Sequence, residues 1–180
     1  MISHIANASF AIPNDSVVAK KIGNGSSNDI LSCGFTASVA ANALTIALKN
    51  NNGTDPTLAD PCRVGFRSGT LTSGTYSLVK SIAATSLVVS SGSTLGMANG
   101  VAGYLYLYIL NNAGTLELAI SSSVFGEGSL RSTTAEGGAG AADSASVLYS
   151  TTARSNIAVR LIGRVLISEA TAGTWATAPT

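Results

Sequence analysis

Tyr104, Tyr106 and Tyr108 recur at every second residue of VAGYLYLYIL. Alternate residues of a strand share a face, so the three rings form a row. Such a row can form a platform for sugar rings or a partner, but it reads first as packing in a core or subunit interface with its hydroxyls at the edge. A second grouping is Glu136, Gly137, Gly138 and Gly140 in TTAEGGAGAADSAS. Small residues permit close backbone approach there, which suits a surface or interface loop. The run lacks the Lys-Ser/Thr ending of a phosphate-binding loop. A third grouping, Phe10, Ile12, Val17 and Val18, gives the N-terminal stretch short apolar patches that could anchor it to a larger particle.

Catalysis finds little to use. The single histidine, His4, is the only base a Ser-His-Asp triad could recruit, and no G-x-S-x-G elbow is present. The nine acids are scattered, mostly through turn-rich stretches, without the clustering a glycosidase pair would suggest. Cys33, Cys62 and one His do not make a zinc site; the cysteines read as buried thiols or as a single bridge. The expectation is a non-enzymatic protein with no cofactor and no metal.

Charge narrows the partners. Ten basic and nine acidic residues give a net charge of +1, and only 11% of residues are charged, against roughly a quarter in an average domain. That balance supplies no electrostatic footprint for nucleic acid or for an anionic membrane. It also leaves little repulsion between copies, which suits self-assembly. Residues 30–48 carry no charge, but Ser32, Thr36, Ser38, Asn42 and Thr45 interrupt them, so they read as two short strands rather than a membrane span. The chain start lacks the basic segment and apolar core of a signal peptide.

The elements that must position these groups are strands. Tyr104 to Leu110 and Leu116 to Ile120 alternate on either side of Asn111-Asn112-Ala113-Gly114, a β-hairpin pattern. The first strand is apolar or aromatic on both faces, so it is expected to lie centrally or in an interface. Leu44, Ile46 and Leu48 alternate inward in one strand, and Cys62, Val64 and Phe66 in another. Asp55-Pro56 and Asp60-Pro61 fix a rigid loop between them. Stretches 75–82, 86–90 and 156–169 also read as strands, and Gly163 marks a bulge or a close crossing in the last. In that strand Val159, Leu161, Val165 and Ile167 are expected on one face. Trp175 is expected to anchor the C-terminus by packing. The absence of helical periodicity and the frequent turns predict an all-β fold, an antiparallel β-sandwich or jelly-roll-like barrel. Residues 1–28 read as an N-terminal arm or attachment segment, with an ordinary first strand of the main domain as the equal alternative, and 29–180 as the β domain.

Two long stretches, GTYSLVKSIAATSLVVSSGSTLGMANGVAGYLYLYILNNAG and STTAEGGAGAADSASVLYSTTARSNIAVRLIGRVLISEATAGTWATAPT, add a resemblance. This sequence resembles a β-rich module of tailed-bacteriophage virion structural proteins, of the tail-fibre, head-fibre or decoration type. TAEGGAGAADSA, RLIGRVL and TAGTWATAPT carry most of the similarity, which spans about residues 43–180. It implies a homotrimer on the virion surface whose partners are itself and capsid or tail components. With only a short arm ahead of the module, a capsid decoration protein or short head fibre is the expected role. The alternative is a tail-fibre receptor-binding module that contacts host surface glycan through its loops or tyrosine face. The resemblance supplies no catalytic residues.

Overall fold

Two tight turns with both central residues at positive φ set the first hairpins. Ala41 and Asn42 (φ 49° and 60°) join β2 (Gly34–Ala40) to β3 (Ala43–Lys49), and Ala113 and Gly114 (φ 48° and 93°) join β7 (Gly103–Asn112) to β8 (Thr115–Ser121). Two-residue turns of this kind match the right-handed twist of paired strands. At the second turn Asn111 Oδ1 also accepts the Gly114 N–H at 2.8 Å. The computed structural model describes residues 30–67 and 76–180. His4, the expected anchor residues Phe10, Ile12, Val17 and Val18, and the expected turn at 68–74 lie outside the described residues.

The described chain is all strand and loop, without a helix. Besides the four strands above it contains β1 (Ile30–Leu31), β4 (Cys62–Arg67), β5 (Tyr76–Ser81), β6 (Ser86–Val89), β9 (Arg131–Ala135), β10 (Tyr149–Ser150) and β11 (Arg154–Ile167). They form two three-stranded sheets, ordered β1-β4-β5 and β2-β3-β6, and a closed five-stranded barrel, β10-β8-β7-β11-β9. The two small sheets are antiparallel, as expected; the barrel is mixed, because β10 pairs β9 in parallel and β8 in antiparallel fashion.

The expected strand over 30–40 is broken. Ser32 sits at φ 55° and separates β1, which pairs with β4, from β2, which pairs with β3. The chain thus passes from one small sheet to the other within three residues. Cys33 lies at that step and is bonded to Cys62, the first residue of β4, with a Cα–Cα separation of 5.0 Å. The two cysteines are therefore a bridge, not a pair of thiols.

β7 is central, and the reason is that it serves two cores. Leu105, Leu107 and Ile109 face the main core with Leu44, Ile46 and Leu48 of β3, Val64 and Phe66 of β4, and Leu87 and Val89 of β6. Tyr108 and Leu110 face the opposite way and pack with Ala119, Leu148, Ile157 and Val159, lining the barrel interior. A fully buried side chain of this size stabilises by about 1.5–3 kcal/mol, so a strand buried on both sides anchors the whole.

β11 changes faces part-way. Leu161 pairs with Tyr108 and Gly163 with Leu107, which leaves Ile162 as an extra residue, a β-bulge. Before the bulge, Val159 and Leu161 face the barrel interior; after it, Val165 and Ile167 face the main core. The expectation that these four share one face is corrected, because one inserted residue inverts the alternation. Gly163 also marks a close crossing: a Cβ there would sit 2.6 Å from Cε1 of Phe35.

Trp175 is buried, and its backbone N–H donates to Asn42 O at 3.3 Å, tying the C-terminal segment to the β2–β3 turn. Thr180 exchanges two backbone hydrogen bonds with Leu166 at 2.8 and 3.1 Å.

Candidate functional site

The tyrosine row is one face that changes character along its length. Tyr108 is fully buried in the barrel. Its hydroxyl accepts the Phe125 N–H at 2.7 Å, and burial raises its pKa above the usual tyrosine value, against the opposing effect of that backbone bond. Tyr106 is half-buried at the barrel mouth, and Tyr104 is 41% exposed. The Tyr104 and Tyr106 ring centroids are 6.4 Å apart. β11 places Arg164 opposite Tyr106 and Leu166 opposite Tyr104, and the Arg164 guanidinium stacks 4.3 Å from the Tyr104 ring centroid. Tyr108 is thus a core residue, whereas Tyr104, Tyr106, Arg164 and Leu166 form an outward patch. Tyrosine and arginine are the residue types that dominate interface hot spots. The row itself was visible in the sequence; Arg164 was not, because its place opposite Tyr106 depends on the bulge.

The second expected group lies in a cap made of three segments: 90–102, which follows β6; 136–148, which follows β9; and 168–180, which follows β11. Glu136 organises it. Its buried carboxylate accepts the Ser90 N–H at 2.7 Å, the Ser90 hydroxyl at 3.0 Å, the Ser93 hydroxyl at 3.2 Å and the Gly138 N–H at 2.9 Å. Nearby, Asp143 Oδ1 accepts the N–H and hydroxyl of Thr94 at 2.8 and 2.9 Å. Backbone bonds run Gly92 N to Gly173 O, Leu95 N to Ala142 O and Gly100 N to Glu169 O, each 2.8 Å.

Here glycine is a steric requirement. Gly173 has φ 82°, and a Cβ on it would lie 2.7 Å from Gly92 O. A Cβ on Gly92, at φ 89°, would lie 3.1 Å from Gly140 N. The small residues of this loop therefore serve close approach within one chain, while Gly137, Ala139, Gly140 and Ala141 keep an exposed outer surface. The stretches TAEGGAGAADSA and TAGTWATAPT fall largely on this cap.

The remaining described acids are equally engaged. Asp55 pairs with Lys49 at 2.6 Å, Asp60 accepts from Asn52 at 2.9 Å, and Glu127 accepts the Leu161 N–H at 2.6 Å and faces Arg160 at 3.5 Å. Glu169 accepts the N–H groups of Ala176 and Thr177, each at 3.2 Å. At the far end of β7, Glu117 takes Nε and Nη2 of Arg154 at 2.8 and 2.5 Å and Nδ2 of Asn112 at 2.8 Å. Among the described residues no group of three or more His, Cys, Asp and Glu could hold a metal ion.

Partial burial works against the Glu117 carboxylate, but the hydrogen bonds from Arg154 and Asn112 and the guanidinium charge outweigh it and hold its pKa below the ordinary 4.5. A folded-state pKa lowered in this way stabilises the protein above the unfolded value and loses that contribution as pH falls through the folded one. Wild-type protein should therefore lose stability below about pH 4.5 more steeply than Glu117→Gln, as read by urea midpoints across pH 3–6. Parallel curves would remove this assignment.

Compared with known proteins, the chain matches no family model, no curated protein and no solved structure.

Proposed function

We propose that this chain is a non-enzymatic structural protein of a bacteriophage virion: a homotrimer on the particle surface that serves as a capsid decoration protein or short head fibre. The observation that carries the reading is the three-segment cap. Two of the phrases that give the sequence its likeness to phage structural modules fall on this cap, one carrying Glu136 and the other packing its Gly173 backbone against Gly92. Their residues are spent on hydrogen bonds and close backbone approach within the chain, which suits a scaffold. All seven described carboxylates accept hydrogen bonds or ion pairs that fasten loops and strands, which agrees with a structural use. The patch of Tyr104, Tyr106, Arg164 and Leu166 offers a second copy a face built on rigid strands. The arm over 1–28 is the proposed attachment to the particle.

The deciding measurement is copy number and location in an intact particle, by quantitative mass spectrometry and labelling. Tens to hundreds of copies on the head support decoration, whereas a handful at the tail would move the protein to the receptor-binding alternative. Light scattering should give three times the 18.0 kDa chain mass. A stable monomer at micromolar concentration would end the trimer reading.

A further inference from the structure

The cap end of the molecule is nearly free of charge. Its three segments, 90–102, 136–148 and 168–180, contain no lysine or arginine. Of their three acids, Glu136 and Glu169 are each 6% exposed and bonded within the chain. Asp143 is the one left at the surface, between the exposed small residues Ala141 and Ala145. A soluble surface typically has about 25–35% charged residues, and depletion of charge is the compositional mark of an interface core.

Bordering the cap is the patch of Tyr104, Tyr106, Arg164 and Leu166, in which Arg164 is the single charge. Its guanidinium stacks 4.3 Å from the Tyr104 ring centroid, and no acceptor among the described residues is bonded to it. Asp143 is its complement. Oδ1 accepts the N–H and hydroxyl of Thr94 at 2.8 and 2.9 Å, which fixes the carboxylate and leaves Oδ2 for another donor. Guanidinium and carboxylate match in plane as well as in charge.

Topology keeps the two groups apart within one chain. β7 has β8 on one side and β11 on the other. Arg164 belongs to β11. The 143–145 turn is fastened to the opposite flank: Ser121, at the end of β8, donates its hydroxyl to Ala145 O at 3.4 Å, and the Tyr149 hydroxyl of β10 accepts the Ser144 N–H at 3.0 Å. Opposite charges held on opposite flanks are placed to meet in a second copy. Contact between two different patches is heterologous, and repeating it closes a ring.

We propose that copies of this chain join head to tail, with Arg164 of one copy bonded to Asp143 of the next and with Tyr104 and Leu166 packed on the small residues around it. The proposal rests on the trimer reading above and names the contact that builds the trimer.

The test is sedimentation velocity of the full chain at about 10 μM, with a thermal melt of each variant. Wild type should run at three times the 18.0 kDa chain mass. Arg164→Glu and Asp143→Lys should each weaken association about a hundredfold and run as monomers, because each sets like charges together. The double variant Arg164→Glu/Asp143→Lys restores opposite charges and should associate again. An equimolar mixture of the two single variants should also associate, since Arg164 of one still finds Asp143 of the other. Asp143→Lys releases Thr94 as well; if it fails to fold, Asp143→Asn, which keeps an acceptor for Thr94, replaces it and should weaken association about tenfold. A wild-type oligomer that keeps its mass in Arg164→Glu would overturn this contact and leave the trimer standing. The same holds if Arg164→Glu breaks the oligomer but neither Asp143 variant weakens it, or if the double variant and the mixture both stay monomeric. A wild-type monomer would end this contact and the trimer together. If that monomer binds phage heads lacking this protein and Arg164→Glu does not, the face meets the capsid instead of a second copy.

Discussion

Glu136→Ala should cost about 3 kcal/mol of unfolding free energy, since it leaves two backbone N–H groups and two hydroxyls without their acceptor. The carboxylate is 6% exposed and takes four hydrogen bonds, two from Ser90 and one each from Ser93 and Gly138. These donors belong to two segments of the cap, so the substitution unpins both. Urea denaturation gives the free energy, and amide exchange at Ser90 and Gly138 should accelerate while exchange in β3 and β7 keeps pace with global stability. Glu136→Gln retains one acceptor oxygen and should fall between the variants. A loss under about 1 kcal/mol for alanine would show that solvent satisfies those donors and that Glu136 does not organise the cap.

Removing the bridge should have an effect of similar size by a different route. Cys33 and Cys62 are 29 residues apart, and closing a loop of that length removes unfolded-chain entropy worth about 3–4 kcal/mol. The bond joins the step between the two small sheets to the start of β4, so it ties the entry to β2 to the sheet that contains β4. The Cys33→Ala/Cys62→Ala protein should unfold at a lower urea midpoint than wild type, and reductant should shift wild type to that midpoint without moving the variant. Two free thiols titrated in denatured, unreduced protein would rule the bridge out.

How much of this was legible in the sequence depended on distance along the chain. β3, β4, β7 and β8 stood out because apolar residues alternate over five or more positions, and the two-sided apolarity of β7 correctly placed it centrally. Gly163 was flagged because a strand interior rarely spares its side chain, and it proved to be both bulge-adjacent and closely crossed. Ser32 gave no warning: serine is an ordinary strand and loop residue, and its positive φ follows from the switch between sheets. β10 is two residues long and exists only through partners in β8 and β9. The role of Glu136 depends on Ser90 and Ser93, more than forty residues away. For the tyrosine row, periodicity gave the shared face but not where along it the barrel closes.

The double burial of β7 also has a history in time. Its hairpin partner β8 follows at once, but β11, which pairs along nearly its whole length from Gly103 to Asn111, is the last of the described strands to be made. A chain emerging from a ribosome therefore presents LYLYIL with one edge unpaired and its Tyr108 and Leu110 face incompletely covered until β11 arrives. Non-local pairing of this kind is slow, and an uncharged, β-prone segment waiting for it is an aggregation hazard. The strand that makes the finished molecule rigid is the one most apt to find a neighbouring chain before it finds its own.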